Sequence, residues 1–301
     1  MLWKSLQLHA QEPTLRQRLE NLIAQFEQNS ALFEPLSLRD RFDALDRLDA
    51  LLGDDVASSA AATAVDPAAL HRAQSLRHRL EAINAELSQS IRVEIRQGTR
   101  PALFAQWLQS NLVPAPGLSF DSLDESLSVV LALEEPDPPP AHPPDGMVFY
   151  QPTPTRHIFH LLHMAALSTT DVLIDLGSGL GHVPLMASLC TGARSIGIER
   201  EATYVASAEH CARQLNLDRV SFLQQDAREA DLSSGTVFYL YTPFTGPILA
   251  AVLHRLRQQS AQRPIRICTF GPCTQAVAQE PWLEISAHPD TDQVTLFSSR
   301  A

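Results

Sequence analysis

The stretch DVLIDLGSGLGH, residues 171–182, sets three glycines within five positions directly behind an apolar run. Val172, Leu173 and Ile174 are β-branched or large and read as a buried parallel strand. Gly177, Gly179 and Gly181 mark a turn that bends sharply or lets another group approach the backbone closely. Val183 to Cys190 reads as a helix, with Pro184 in its first turn, where an N–H has no intrahelical partner. Strand, glycine loop and helix in this order leave backbone N–H groups at the carboxyl end of a strand, where a nucleotide-like ligand can accept them. A dinucleotide fingerprint needs glycine at position 182, and His182 stands there, so the spacing is Gly-x-Gly-x-Gly.

The pattern continues downstream. A second strand, SIGIE, ends in Glu199, whose carboxylate can accept hydrogen bonds from both hydroxyls of a ribose. A third, RVSFLQ, is followed by Asp226 and Ala227, where an acid can accept from an adenine amino group and main chain can meet the ring edge. Three acids end three successive strands separated by helices, which predicts a parallel sheet with right-handed crossovers and a ligand at its carboxyl edge. This set resembles motif I and its companions in the class I (seven-strand) S-adenosylmethionine (SAM) methyltransferases. The resemblance implies a doubly wound, mostly parallel, seven-strand Rossmann-like α/β sheet. It also implies SAM as cofactor, held by Asp175, Gly177, Ser178, Gly179 and Gly181 of the loop, by Glu199 with the adjoining Arg200, and by Asp226 with Ala227.

A fourth strand, TVFYLY, runs into Tyr241, Thr242, Pro243 and Phe244. YTPF stands where many amino-group methyltransferases carry Asn or Asp, Pro, Pro, then Tyr or Phe, so these four residues are the candidates for shaping methyl transfer. Tyr241 replaces the amide or acid, and the amine-holding role of that first side chain does not carry over. Ahead of the glycine loop, YQPTP resembles the Tyr-x-Pro-Thr-Pro run of small prokaryotic and mitochondrial lysine methyltransferases. More distantly, residues 146–245 are similar to the non-SET methyltransferases that modify a nucleosomal lysine. In those families this segment crosses over the cofactor, which implies Tyr150 and Thr153 near its methionine end.

The 23 basic and 34 acidic residues give a net charge of −11, with −9 before residue 146 and −2 after it. No Lys/Arg run stands out and Lys4 is the one lysine, which argues against nucleic acid and for an electropositive partner. Cys190, Cys211, Cys268 and Cys273 lie in apolar segments and read as buried thiols of a reducing compartment. MLWKSLQLHAQEP has no signal-type apolar run and no stretch approaches a spanning helix, so the expected location is cytoplasmic, with no membrane partner. His157, His160 and His163 recur every three residues without an accompanying carboxylate, so no metal is expected.

EEPDPPPAHPPDG, residues 134–146, reads as a Pro-rich linker. It divides an all-helical N-terminal domain, 1–133, from a catalytic domain, 147–301. TLRQRLENLIAQFEQ, LRDRFDALDRLDALL and HRLEAINAELSQSI show helical periodicity, while SSAAATAVDPAAL reads as a low-complexity joint. GPILAAVLHRLRQQ reads as a helix, PIRICTF as a fifth strand, and WLEIS and QVTLFSS as the last two, the final one antiparallel, with Asp290 and Asp292 in the hairpin between them. The helical domain suits substrate selection or homodimer formation. The expected partner is a protein carrying a lysine, which the resemblance favours, or a small-molecule acceptor of a bacterial biosynthetic pathway. A catalytically silent SAM-binding protein is the third reading, suggested by the departure at Tyr241.

Overall fold

The computed structural model describes residues 14–53, 66–98, 102–111, 122–134, 136, 146–285 and 288–300. Residues 1–13, most of the Pro-rich stretch and the first part of the low-complexity joint lie outside these, and with them the readings made there. The chain gathers into two compact units, Met1–Ser90 with Gln106–Asn111 and Ile91–Ala105 with Leu112–Ala301.

The first unit holds helices α1 (Leu15–Gln28) and α2 (Leu38–Leu52), and α3 (Pro67–Arg96) as far as Ser90. Thr14 and Gln17 close a reciprocal capping box at the start of α1. Leu19, Leu22, Ile23 and Phe26 then bury one face against Leu45, Leu48, Leu76 and Leu80. Helix α3 begins at Pro67, inside the stretch read as a joint, because Asp66 accepts from Ala68 N and starts the first turn. Arg41 is fully buried, and its guanidinium donates to Asn84 Oδ1 and to the carbonyls of Leu32, Glu34 and Pro35. Burial lowers its pKa to about 10.

Two helices escaped the sequence reading, α4 (Ala102–Asn111) and α5 (Ser122–Leu131). The units divide at Ser90/Ile91 rather than at the Pro-rich stretch, so α5 belongs with the sheet. The reason is local bonding. Asp124 accepts from Thr155 N, Leu131 O from Cys211 Sγ at 3.1 Å, and Glu134 O from Ser207 Oγ at 2.6 Å.

The second unit continues with α6 (Thr155–Ala165), β1 (Val172–Leu176), α7 (His182–Thr191), β2 (Arg194–Glu199), α8 (Ala202–Gln214), β3 (Val220–Gln224) and β4 (Val237–Tyr241). It ends with α9 (Gly246–Ser260), β5 (Arg266–Phe270), the short α10 (Cys273–Val277), β6 (Leu283–Ile285) and β7 (Thr295–Ser299). The strands form one seven-stranded sheet in the order β3-β2-β1-β4-β5-β7-β6, parallel except for β7. Ile174, Leu176, Phe238, Leu240 and Ile267 pack with Val252, Leu256 and Phe297 into its core. The chain order reverses between β1 and β4, and this switch point opens a crevice at the carboxyl edge. Asp175 stands there, in register with Gly197 of β2 and Tyr239 of β4.

Candidate active site

The carboxyl ends of β1 to β5 open onto a cavity of about 550 Å³, a size that encloses a small-molecule ligand. Its lining includes Asp175, Gly177 and Ser178 after β1, Glu199 and Arg200 at β2, Asp226 and Ala227 after β3, and Tyr241, Thr242, Pro243 and Phe244 after β4. Tyr150 and Thr153 enter from the segment ahead of α6. That segment is fixed on the β4 exit, where Met147 bridges Phe244 in antiparallel fashion and Val148 N donates to Pro243 O at 3.2 Å.

The space cleared by the glycines is taken by the protein's own side chains. A Cβ on Gly179 would stand 2.1 Å from the Tyr150 ring, one on Gly181 2.4 Å from Phe222, and one on Gly177 2.3 Å from Pro243. Gly179 and Gly181 therefore lie outside the lining and seat the walls. The expected free loop N–H groups are spent as well. Gly177 N and Ser178 N both donate to Ile198 O, and Gly179 N donates to Glu199 Oε2 at 2.8 Å.

What faces the cavity instead is a set of acceptors. Glu199 spans from β2 to the loop, its other oxygen taking Arg200 N at 2.7 Å and Glu201 N at 2.9 Å. Asp226 is held below the usual carboxylate range by the Arg228 guanidinium, which reaches Oδ2 at 2.7 Å. The adenine role expected of Asp226 is left to the lone pairs that Arg228 does not use. Asp175 is 4% exposed, and burial, then the nearby Glu199 charge, push its carboxyl well above the ordinary range. Ser178 Oγ is buried without a hydrogen-bond partner among the described residues. Carboxylates at three strand ends suit a ligand rich in donors, such as an ammonium, ribose hydroxyls and an adenine amino group. A pyrophosphate would meet like charge.

Three other expected residues have internal partners. Thr153 Oγ1 pairs with Tyr239 OH at 3.1 Å, tying the Pro-Thr-Pro run to β4. Thr242, at φ +41°, donates its hydroxyl to Phe270 O at 3.0 Å and accepts from Cys273 N at 3.1 Å. A β-branched residue in the left-handed region is strained, and these two bonds hold it. Arg200 extends its guanidinium to Met147 Sδ at 3.3 Å.

Sequence reasoning missed Tyr204, Tyr239, Phe270, Thr291 and Asp292, all of which line the cavity. Tyr239 had a signal, because it lies two residues from Tyr241 on a strand and so shares its face. Phe270 and Asp292 reach the site only through strand order, which a single sequence does not print. The Tyr241 and Phe270 rings lie 4.5 Å apart, and His157 stacks on the far side of Phe270 at 4.3 Å. Burial lowers His157 and His182 to about 4, so both imidazoles are neutral at pH 7. Tyr150 covers the loop with its hydroxyl 3.4 Å from His182 Nδ1. Among the described residues no three His, Cys, Asp or Glu side chains form a metal-holding group, and no helix is long and apolar enough to cross a membrane.

Residues 148–239 match the family described as Histone methylation protein DOT1, a span that runs from the segment over the β4 exit through the glycine loop to Tyr239. The second unit is a class I SAM-dependent methyltransferase domain. Two curated relatives align with it over 87 residues, 29% of this chain and 23% of each relative. They are the sterol 24-C-methyltransferases of Eremothecium gossypii, 29% identical, and Saccharomyces cerevisiae, 28% identical. The chain thus spans about a quarter of the length of these relatives. Among solved structures, an RNA methyltransferase from Salinibacter ruber with S-adenosylhomocysteine is 30% identical, covers 50% of this chain and 92% of its own, and has a TM-score of 0.38. The methyltransferase domain fits SAM on its own terms, through the carboxylate set, the orphan Ser178 hydroxyl and a cavity of sufficient volume.

Proposed function

We propose that this protein transfers a methyl group from SAM to the side-chain amine of a lysine in a protein partner. The observation that carries the reading is the match of residues 148–239 to a histone methylation family. SAM supplies an electrophilic methyl group on a sulfonium. In this reading Asp175, Gly177 and Ser178 line the methionine part while Gly179 and Gly181 only seat the walls around it, Glu199 accepts from the ribose, and Asp226 with Ala227 meets the adenine. Tyr150 and Thr153 close the loop side, and Tyr241 to Phe244 form the wall toward the acceptor.

The chain's part in the chemistry is orientation, exclusion of water and control of a proton. A lysine must lose its proton before it attacks. Burial raises the Tyr239 and Tyr241 phenols and lowers His182, so these neighbours stay neutral at pH 7 and offer no strong base. An apolar mouth that disfavours the ammonium serves instead. The helical unit is then a substrate-selecting or dimerising element.

The test is transfer of radiolabelled methyl from SAM into a lysate, separated into protein and small-molecule fractions, with Asp175→Ala as the inactive control. Label recovered as methyl-lysine in a protein band that the variant fails to produce supports the proposal. Label confined to small molecules replaces it with a biosynthetic acceptor. No turnover with any acceptor leaves a SAM-binding protein without catalysis.

A further inference from the structure

Helix α6 begins without a cap of its own. Its first turn leaves backbone N–H groups with no intrahelical acceptor, and Pro154, at the cap position, has no side-chain oxygen to offer. The acceptor comes from elsewhere in the chain, because Asp124 Oδ1 on α5 takes the N–H of Thr155. Both residues are buried, Asp124 at 5% exposure and Thr155 at 2%. A carboxylate there also faces the positive end of the helix dipole. Immediately ahead of this joint runs the segment 147–154, which carries Tyr150 and Thr153 along the cavity. Its other end is pinned at the β4 exit by the Met147–Phe244 bridge and the Val148–Pro243 bond.

We propose that Asp124 is a positioning residue for the cofactor, which holds the 147–154 segment over the cavity by capping α6. The inference rests on the reading of that cavity as the SAM site and adds the helix that keeps its cover seated. Pro152 and Pro154 flank Thr153, and each has a fixed φ. Little slack therefore separates the capped Thr155 from Thr153, whose hydroxyl pairs with Tyr239 OH. Val148, Phe149 and Gln151 are exposed, so the middle of the segment gains little from burial and depends on its ends. Tyr150 lies on Gly179, with its ring 4.8 Å from that of Tyr204 on α8. Helix α5 and the residues after it are fastened to α8 as well, at Leu131 O and Glu134 O. One element thus fixes both the start of α6 and the helix against which Tyr150 packs. Without the cap, a fraction of molecules has the segment unseated, and the apparent affinity for the cofactor falls accordingly.

The experiment measures S-adenosylhomocysteine binding by isothermal titration, and amide hydrogen exchange over residues 147–158, on the full chain. Asp124→Ala is expected to raise Kd about tenfold, or ~1.4 kcal/mol, and to speed exchange in that segment before the ligand is added. Asp124→Asn keeps an acceptor oxygen for Thr155 N and should stay within about threefold of the wild type in both readouts. Leu256→Val is a core change on α9 outside the cavity lining. It is expected to lower the melting temperature and to leave Kd and exchange over the segment at the wild-type level.

An Asp124→Ala variant that binds S-adenosylhomocysteine as well as the wild type overturns the proposal. So does a loss of affinity without faster exchange over 147–158, or a loss that Leu256→Val reproduces, which would make it an effect of overall stability. Failure of Asp124→Asn to retain binding overturns the cap as its cause. A wild type that does not bind S-adenosylhomocysteine removes the SAM reading and this inference with it. These measurements need no acceptor, so they stand apart from the lysine reading, which the lysate labelling decides.

Discussion

Asp175 sits between Gly197 and Tyr239 in the sheet with 4% exposure, and its carboxyl titrates well above the ordinary range because burial disfavours the charged form. A group whose folded pKa is raised adds stability below its unfolded pKa and loses it as pH rises through the folded one. Asp175→Asn removes that titration, so the variant is expected to melt higher than the wild type, by a margin that grows between pH 5 and pH 8. It should also bind SAM more weakly. Differential scanning calorimetry across that range checks the first half and isothermal titration the second. His157 carries the opposite sign. Its folded pKa is lowered from 6.5 to about 4, by burial first and then by Arg156 and His160. The stability it contributes is present above pH 6.5 and lost as pH falls toward 4. His157→Phe keeps a ring on Phe270 and does not titrate, so the wild type should lose up to about 3 kcal/mol relative to the variant across that window. Urea unfolding of both proteins at pH 7 and pH 4.5 measures the difference.

The glycine loop joins β1 to α7 and also forms the floor on which Tyr150 lies. Gly179 has φ +50°, and an added Cβ would overlap the Tyr150 ring. Gly179→Ala therefore costs about 1–2 kcal/mol for the left-handed backbone and displaces the ring that covers the cavity. The expected result is a lower melting temperature and at least about a tenfold loss of SAM affinity, equivalent to 1.4 kcal/mol. Adding Tyr150→Ala should recover part of the melting temperature and none of the affinity, a non-additive cycle that isolates the contact. Additive melting shifts would place the cost in the backbone alone. At this scale the sequence was legible wherever a local rule governs. The seven strands follow from apolar runs and turn residues, α7 from Gly181 and Pro184, and the acid at each of β1, β2 and β3 from its position at a strand end. What stayed hidden depends on chain segments distant in sequence. Phe222 fills the space over Gly181, Tyr239 takes the Thr153 hydroxyl, and Phe270 and Asp292 join the site because β5 lies beside both β4 and β7. Helix α5 was obscured by the Pro-rich stretch that follows it, and only its bonds to α6 and α8 show which unit it serves.

Over the whole molecule the charge is −11, carried by 34 acidic residues against 22 arginines and one lysine. A transferase acting on lysine side chains would meet almost no substrate on its own surface, so label in the chain's own band is expected to be confined to Lys4. The same imbalance bears on the encounter with a partner. An acidic protein draws a basic one through long-range attraction, which raises the association rate and weakens with ionic strength. The Debye length is about 10 Å at 0.1 M salt and about 3 Å at 1 M, so exposed charges far from the cavity stop contributing first. The groups proposed above to hold SAM lie at strand ends within the cavity and are screened less. Raising salt from about 0.05 M to about 0.3 M, across which that screening length shortens, is therefore expected to raise KM for the protein acceptor several-fold. KM for SAM and kcat should stay nearly constant. Steady-state kinetics on the acceptor found in the lysate, at a series of NaCl concentrations, measures all three. Equal sensitivity of both KM values would mean that the net charge plays no part in recruitment and that selection rests on the cavity mouth alone.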